Sequence, residues 1–129
     1  MSKKNKIIIS VLVVFLLLVI CVFNFSFSSG YKISIDNNTD KTIEHLELKY
    51  YDGRIIKTIS QIEPKKSWKY NIDTNIIQGE NAIILLYKDN KGNSYKESVV
   101  GYLEKGYSGN ANIIINKIDD NGKLEIEVK

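Results

Sequence analysis

Apolar and polar residues follow two different arrangements along this chain. From Ile7 to Phe23 nearly every position is apolar, with only Ser10 interrupting. From Tyr31 onward the two kinds alternate. Tyr31, Ile33 and Ile35 are interleaved with Lys32, Ser34 and Asp36. Leu46, Leu48 and Tyr50 are interleaved with His45, Glu47 and Lys49. The same rhythm returns at Trp68, Tyr70 and Ile72, and again at Leu124, Ile126 and Val128. A period of two places one set on a core face and the other in water, which predicts half-buried strands. Ala82 to Tyr87 is apolar on both faces and reads as a central strand, and Ile113 to Ile115 is similar. Residues 54–60 and 94–100 read as strands without a clean face. No stretch after Gly30 holds a 3.6-residue apolar period over three turns, and Asn75–Gln78 is long enough for one helical turn only.

Turn residues punctuate these runs. Asp52-Gly53 and Asn121-Gly122 are hairpin dipeptides, because both residue types tolerate positive φ. Asp89-Asn90-Lys91-Gly92 predicts a further hairpin, Asp36 to Asp40 a polar turn, and Pro64 the end of a strand. About seven or eight short strands at this spacing predict an all-β fold, an antiparallel two-sheet sandwich of immunoglobulin-like or fibronectin-like architecture. The Cys–Trp–Cys hallmark of antibody domains is absent, so only the architecture is expected. Trp68 is expected to face inward as a core filler.

The N-terminal run has the dimensions of a membrane span. Ile7 to Phe23 makes about 25 Å of helix and extension to Phe27 about 31 Å, against a hydrocarbon core of roughly 30 Å. Lys3, Lys4 and Lys6 precede it, and lysines on that side favour the cytoplasm. The expected organisation is a cytoplasmic basic tail at 1–6, a transmembrane signal anchor at 7–27, a linker at 28–30 and an extracytoplasmic β-sandwich at 31–129. Ser26-Phe27-Ser28 offers small residues for the competing fate, secretion after signal cleavage. Lipidation at Cys21 would want a small residue just before it. Ile20 stands there, and the apolar stretch runs on past the cysteine.

Charge alters the picture only when it is divided the same way. The chain has 18 Lys and Arg, 15 Asp and Glu and a net charge of +3. Lys3, Lys4 and Lys6 account for that excess, so the segment from Tyr31 is formally neutral. Its basic residues are scattered among acids and include a single arginine, Arg54. Nucleic-acid binding needs clustered cations that displace counterions, so no nucleic-acid partner is expected. Cys21, the one cysteine, lies in the apolar run. The polar domain therefore has neither a disulfide nor a cysteine metal site, and must be stable from burial alone.

Candidate chemistry is sparse. His45, the one histidine, has Glu47 and Lys49 on its strand face, but no nucleophile stands at fixed spacing, so a solvated side chain is expected. Asp36, Asn38 and Asp40 with Glu47 partly echo a calcium loop, yet Lys41 occupies the position where that loop needs glycine. A polar turn explains the same residues. No cofactor or metal is expected, and no enzymatic activity. The segment from Gly101 to Gly109 repeats Gly-Tyr and adds a serine and a glycine. Tyrosine supplies a rigid amphipathic surface and glycine a pliable backbone, so Tyr102, Lys105 and Tyr107 are the candidate binding residues. The competing reading is a bulge or crossover with both tyrosines at the core edge.

The Asp36–Asp40 turn, the following Ile43, Leu46 and Leu48, the Gly-Tyr segment and the C-terminal Asn-Gly hairpin together resemble small membrane-anchored or secreted envelope proteins of low-GC Gram-positive bacteria. The resemblance spans the polar domain. It implies an envelope address and brings no activity, so no residue inherits a role. The expected function is a membrane-tethered extracytoplasmic module that binds an envelope or secreted protein. The alternative is an accessory subunit of a membrane complex, acting through the helix or a sheet edge. A secreted enzyme is the third possibility.

Overall fold

The computed structural model describes residues 1–26 and 30–129. One apolar helix, α1 (Lys3–Ser26), precedes eight strands: β1 (Tyr31–Asn37), β2 (Ile43–Tyr50), β3 (Ile55–Ile62), β4 (Ser67–Ile72), β5 (Asn81–Lys88), β6 (Ser94–Leu103), β7 (Gly109–Ile118) and β8 (Leu124–Val128). A short 3-10 turn, Thr74–Ile76, joins β4 to β5, where one helical turn was expected. The helix is long and apolar enough to cross a membrane, and no residue of Lys3–Val22 is buried. Phe27, the expected end of the span, lies outside the described residues, as do linker residues 28 and 29 and the end of the Ser26-Phe27-Ser28 cleavage site.

The strands form two four-stranded sheets, ordered β4-β1-β7-β8 and β3-β2-β5-β6. Both bury one face in a single core that includes Ile33, Ile35, Ile113 and Ile115 from the first sheet and Leu46, Leu48, Ile83 and Leu85 from the second. The two double-sided apolar runs, β5 and β7, are interior strands. Such placement covers their second faces better than an edge would. The expected purely antiparallel pairing needs correction: β1 and β7 are parallel, with Tyr31 beside Gly109 and Asn37 beside Ile115. Alternation along a strand is the same for either direction, so the pattern could not reveal this. Between β1 and β7 the chain lays down β2 and β3 in the second sheet, edge strand β4 in the first, and β5 and β6 in the second.

Two further points concern single elements. Trp68 packs against the core as expected but is half-buried rather than fully enclosed. It lies on edge strand β4 opposite Ile35, stacked on Tyr70 with ring centroids 5.8 Å apart. The last expected strand of the second sheet runs further than the pattern implied. β6 continues to Leu103 and absorbs Gly101 and Tyr102.

Strand directions give the domain two distinct ends. Gly30, the turn 51–54, the connection 73–80 and the loop 104–108 lie at the end where the chain enters from the helix. The connections 38–42, 63–66, 89–93 and 119–123 lie at the far end. The far end is built on polar side chains that serve backbone groups. Asn37, 1% exposed, donates from Nδ2 to the carbonyls of Lys41 (2.8 Å), Ile62 (3.0 Å) and Glu63 (3.1 Å), and its Oδ1 accepts from the Thr39 amide at 3.0 Å. Two hairpins repeat one design. Asp89 Oδ1 accepts from the amides of Lys91 and Asn93, and Asp119 Oδ1 from those of Asn121 and Lys123. Gly92 and Gly122 take φ of +83° in each, whereas Asn121 does not adopt positive φ. The tips touch: the Asn90 amide donates to the Asn121 carbonyl at 2.8 Å.

Candidate functional site

A cleft of about 730 Å³ opens towards the far end. Its origin lies in how β2 leaves β5. Their pairing covers Glu47–Tyr50 against Leu86–Ile83 and stops at Glu47 opposite Leu86. Yet β2 extends back to Ile43 and β5 on to Lys88. The two strands part there, and the gap is lined by Ile43, Glu44 and His45 on one side and Leu86, Lys88 and Asp89 on the other. Leu124 and Ile118, from β8 and β7, reach it from the other sheet.

His45 stands where the two strands part. Its φ is +57°, in the left-handed region that L-residues seldom occupy. The β2–β3 ladder keeps its register from Glu44 opposite Gln61 to Leu46 opposite Ile59 but has no pair at His45 between them. Ile43 and Leu46, an odd number of residues apart, are both buried, at 2% and 0% exposure. In a regular strand one of them would face water. Simple alternation through His45 concealed this bend. The side chain is exposed at the cleft rim with Glu44 and Glu47 lining the same space. Glu47 is paired with Lys49 at 3.0 Å.

The backbone strain at His45 is testable. Glycine adopts this conformation without a Cβ penalty, so His45→Gly should leave the melting temperature unchanged or raise it by an amount equivalent to about 0.5–1 kcal/mol. The β-branched His45→Val should lower stability by about 1–3 kcal/mol. Thermal melts of the three proteins, followed by Trp68 fluorescence, decide the order. Equal melting of the valine variant and the parent would exclude a left-handed residue here.

One wall of the cleft is held by a polar cluster around Asp89. Its carboxylate accepts from the side-chain amide of Asn93 at 2.8 Å and from the Tyr95 hydroxyl at 3.2 Å, besides the two backbone amides. The Asn93 side chain, first among these donors, holds the Asp89 carboxyl below the usual range. Tyr95 stacks on Tyr87 with centroids 5.0 Å apart, and Tyr87 Oη bonds both the carbonyl and the amide of Leu124, at 3.3 and 3.2 Å. Burial pushes the Tyr87 phenol up.

The Gly-Tyr segment lies at the opposite end. Tyr102 is on β6, while Lys105 and Tyr107 are exposed on the loop that follows. The two tyrosine rings meet edge to face at 5.6 Å, so the structure does bring them together. The Tyr102 hydroxyl bonds Glu104 at 3.1 Å and Glu80 at 3.3 Å. Desolvation and those carboxylates push its phenol up to about 12. The Thr74 hydroxyl donates to the Tyr107 carbonyl at 2.7 Å and fixes the loop to the β4–β5 connection. Lys105 makes no ion pair among the described residues.

The residues of the calcium-like turn are engaged otherwise. Asp36 accepts from Ser67 and from Asn112, and the Ser67 hydroxyl leads in holding its carboxyl below the usual range. Asn37, between two of the candidate ligands, is the structural centre of the turn. Among the described residues no three His, Cys, Asp or Glu side chains are grouped for a metal ion.

No family model and no curated protein matches the chain. Among solved structures, the NMR structure of a protein from Eubacterium rectale is similar over 78% of this chain and 88% of its own, with a TM-score of 0.48 and 15% identity.

Proposed function

We propose that this chain is a membrane-tethered extracytoplasmic module that captures an extended segment of an envelope or secreted protein, without catalysis. Its two packed sheets are read as an immunoglobulin-like or fibronectin-like sandwich, an architecture used widely for display and binding at cell surfaces. Lys3, Lys4 and Lys6 remain in the cytoplasm, α1 spans the bilayer and the β domain stands outside.

The observation that carries the reading is the parting of β2 from β5. Two strand segments that end their mutual pairing at Glu47 and Leu86 border an open cleft of about 730 Å³. An extended chain entering such a gap can take up backbone hydrogen bonds, while the side chains lining it set the choice of partner. Leu86 offers apolar contact, and Glu44, His45 and Lys88 offer charge and hydrogen bonding at the rim. A strained, non-glycine backbone at His45 supports a functional reading of the same place.

Photo-crosslinking groups at Glu44 and Lys88, on opposite walls, should yield the same covalent adduct in native membranes. A group at Glu125, on β8, should yield none. Mass spectrometry should identify an envelope or secreted polypeptide, cross-linked through one contiguous segment. No common adduct from the two walls, or an equal yield from Glu125, would end the reading.

A further inference from the structure

Outside α1, the exposed large apolar side chains among the described residues are Tyr51 (69%), Ile55 (59%), Ile76 (63%), Tyr102 (45%) and Tyr107 (38%). Every one lies in or beside a connection at the end where the chain enters the domain: the β2–β3 turn, the β4–β5 connection or the β6–β7 segment. The far-end connections display lysines and acids in their place, among them Lys41, Lys65, Lys91 and Asp120. Scattered exposed apolar residues are ordinary on any surface, but confinement to one end is not.

Covalent geometry fixes what this end must face. Ser26 ends α1 and Gly30 opens the domain. Four Cα steps can span no more than about 14 Å. The polar headgroup layer on each side of a bilayer is itself about 5–8 Å thick. If α1 spans the membrane, this end of the domain cannot be far from the headgroups.

We infer that the helix-proximal end of the sandwich is a bilayer-contact surface, with Ile76 at the acyl boundary and Tyr102 and Tyr107 in the headgroup layer. This rests on the tethering part of the reading above and gives the Gly-Tyr segment a lipid partner. Tyrosine suits that depth because its ring is apolar and its hydroxyl is wet. The Tyr102–Tyr107 pair and the bond from Thr74 hold the surface in shape before contact. Charge does not drive the contact. Asp52, Asp73, Glu80 and Glu104 outnumber Arg54 and Lys105 at this end. The surface therefore recognises a neutral headgroup layer through aromatic and apolar area, and its contact is insensitive to salt.

The test uses the full chain with Cys21→Ser, reconstituted in phosphatidylcholine vesicles. An environment-sensitive fluorophore is attached at Gln78→Cys, beside Ile76, or at Lys91→Cys on the far hairpin. Headgroup nitroxide lipids should quench the Gln78 label several-fold more than the Lys91 label, equally at low and high salt. Adding Ile76→Ser, Tyr102→Ser and Tyr107→Ser should reduce that quenching to the Lys91 level, with Trp68 fluorescence unchanged as evidence of folding. Resistance to alkaline carbonate extraction reads the tether separately. A retained chain whose Gln78 label is quenched no more than the Lys91 label overturns this proposal alone. Quenching that appears only at high protein-to-lipid ratio assigns the surface to a second copy and also overturns it. A chain released by carbonate overturns the tether, and this proposal with it.

Discussion

Replacement of Asn37 by alanine should lower the stability of the β domain by about 3 kcal/mol, since it strips several buried backbone groups of their partner at once. The Asn37 side chain bridges two connections of the far end: the segment 37–42 through Thr39 and Lys41, and the β3–β4 connection through Ile62 and Glu63. Alanine removes the donor for three carbonyls and the acceptor for the Thr39 amide. Each buried group left without a partner costs about 1–3 kcal/mol, and water can reach some of them, which moderates the sum. Domains of this size hold only about 5–15 kcal/mol in all. The melting temperature, read by Trp68 fluorescence in detergent, should fall by about 12–24 °C. Asn37→Asp is the sharper control. It preserves shape and the acceptor but cannot donate to three carbonyls and buries a charge, so it should be no more stable than Asn37→Ala. Melting of the alanine variant within a few degrees of the parent would remove Asn37 from its central role.

The second large effect is expected from Tyr87→Phe, which deletes one oxygen. Tyr87 is 4% exposed on interior strand β5, and its hydroxyl bonds both the amide and the carbonyl of Leu124 at the start of edge strand β8. This bond pair joins the two sheets and covers an exposed strand edge, the part of a sheet most open to fraying or foreign pairing. Phenylalanine keeps the ring stacked on Tyr95 and leaves the two Leu124 groups unpaired. The loss should be about 2 kcal/mol, with a drop of roughly 8–16 °C in melting temperature. Amide hydrogen exchange should accelerate at Leu124 and along β8 more than at Ile113 or Leu85 in the core. Uniform acceleration throughout the domain would mean that the hydroxyl supports the fold as a whole rather than the β8 edge.

These two residues also mark the limit of what the residue pattern discloses. Alternation from Tyr31 to Ile35, from Leu46 to Tyr50 and from Leu124 to Val128 identified strands and their core faces, because burial of one face imposes a period of two. The apolar run from Ile7 to Phe23 identified the helix, and Gly92 and Gly122 marked turns that require positive φ. The Gly-Tyr segment was visible as a surface with two tyrosines, which the structure brings into ring contact. Asn37 gave no comparable sign. A buried asparagine with five polar neighbours and a solvated turn residue look alike in sequence, since its partners are mostly backbone carbonyls that carry no residue identity.

Local periodicity thus determined by itself which residues are strand or helix and which faces are apolar, since those depend on neighbours one to four positions away. Tertiary structure alone decided the rest. It placed β1 parallel to β7, turned His45 left-handed where β2 parts from β5, and gathered the large exposed apolar side chains of the domain at the helix end. Each of these depends on segments far apart in the chain, and a periodic pattern carries no record of which distant segment lies alongside.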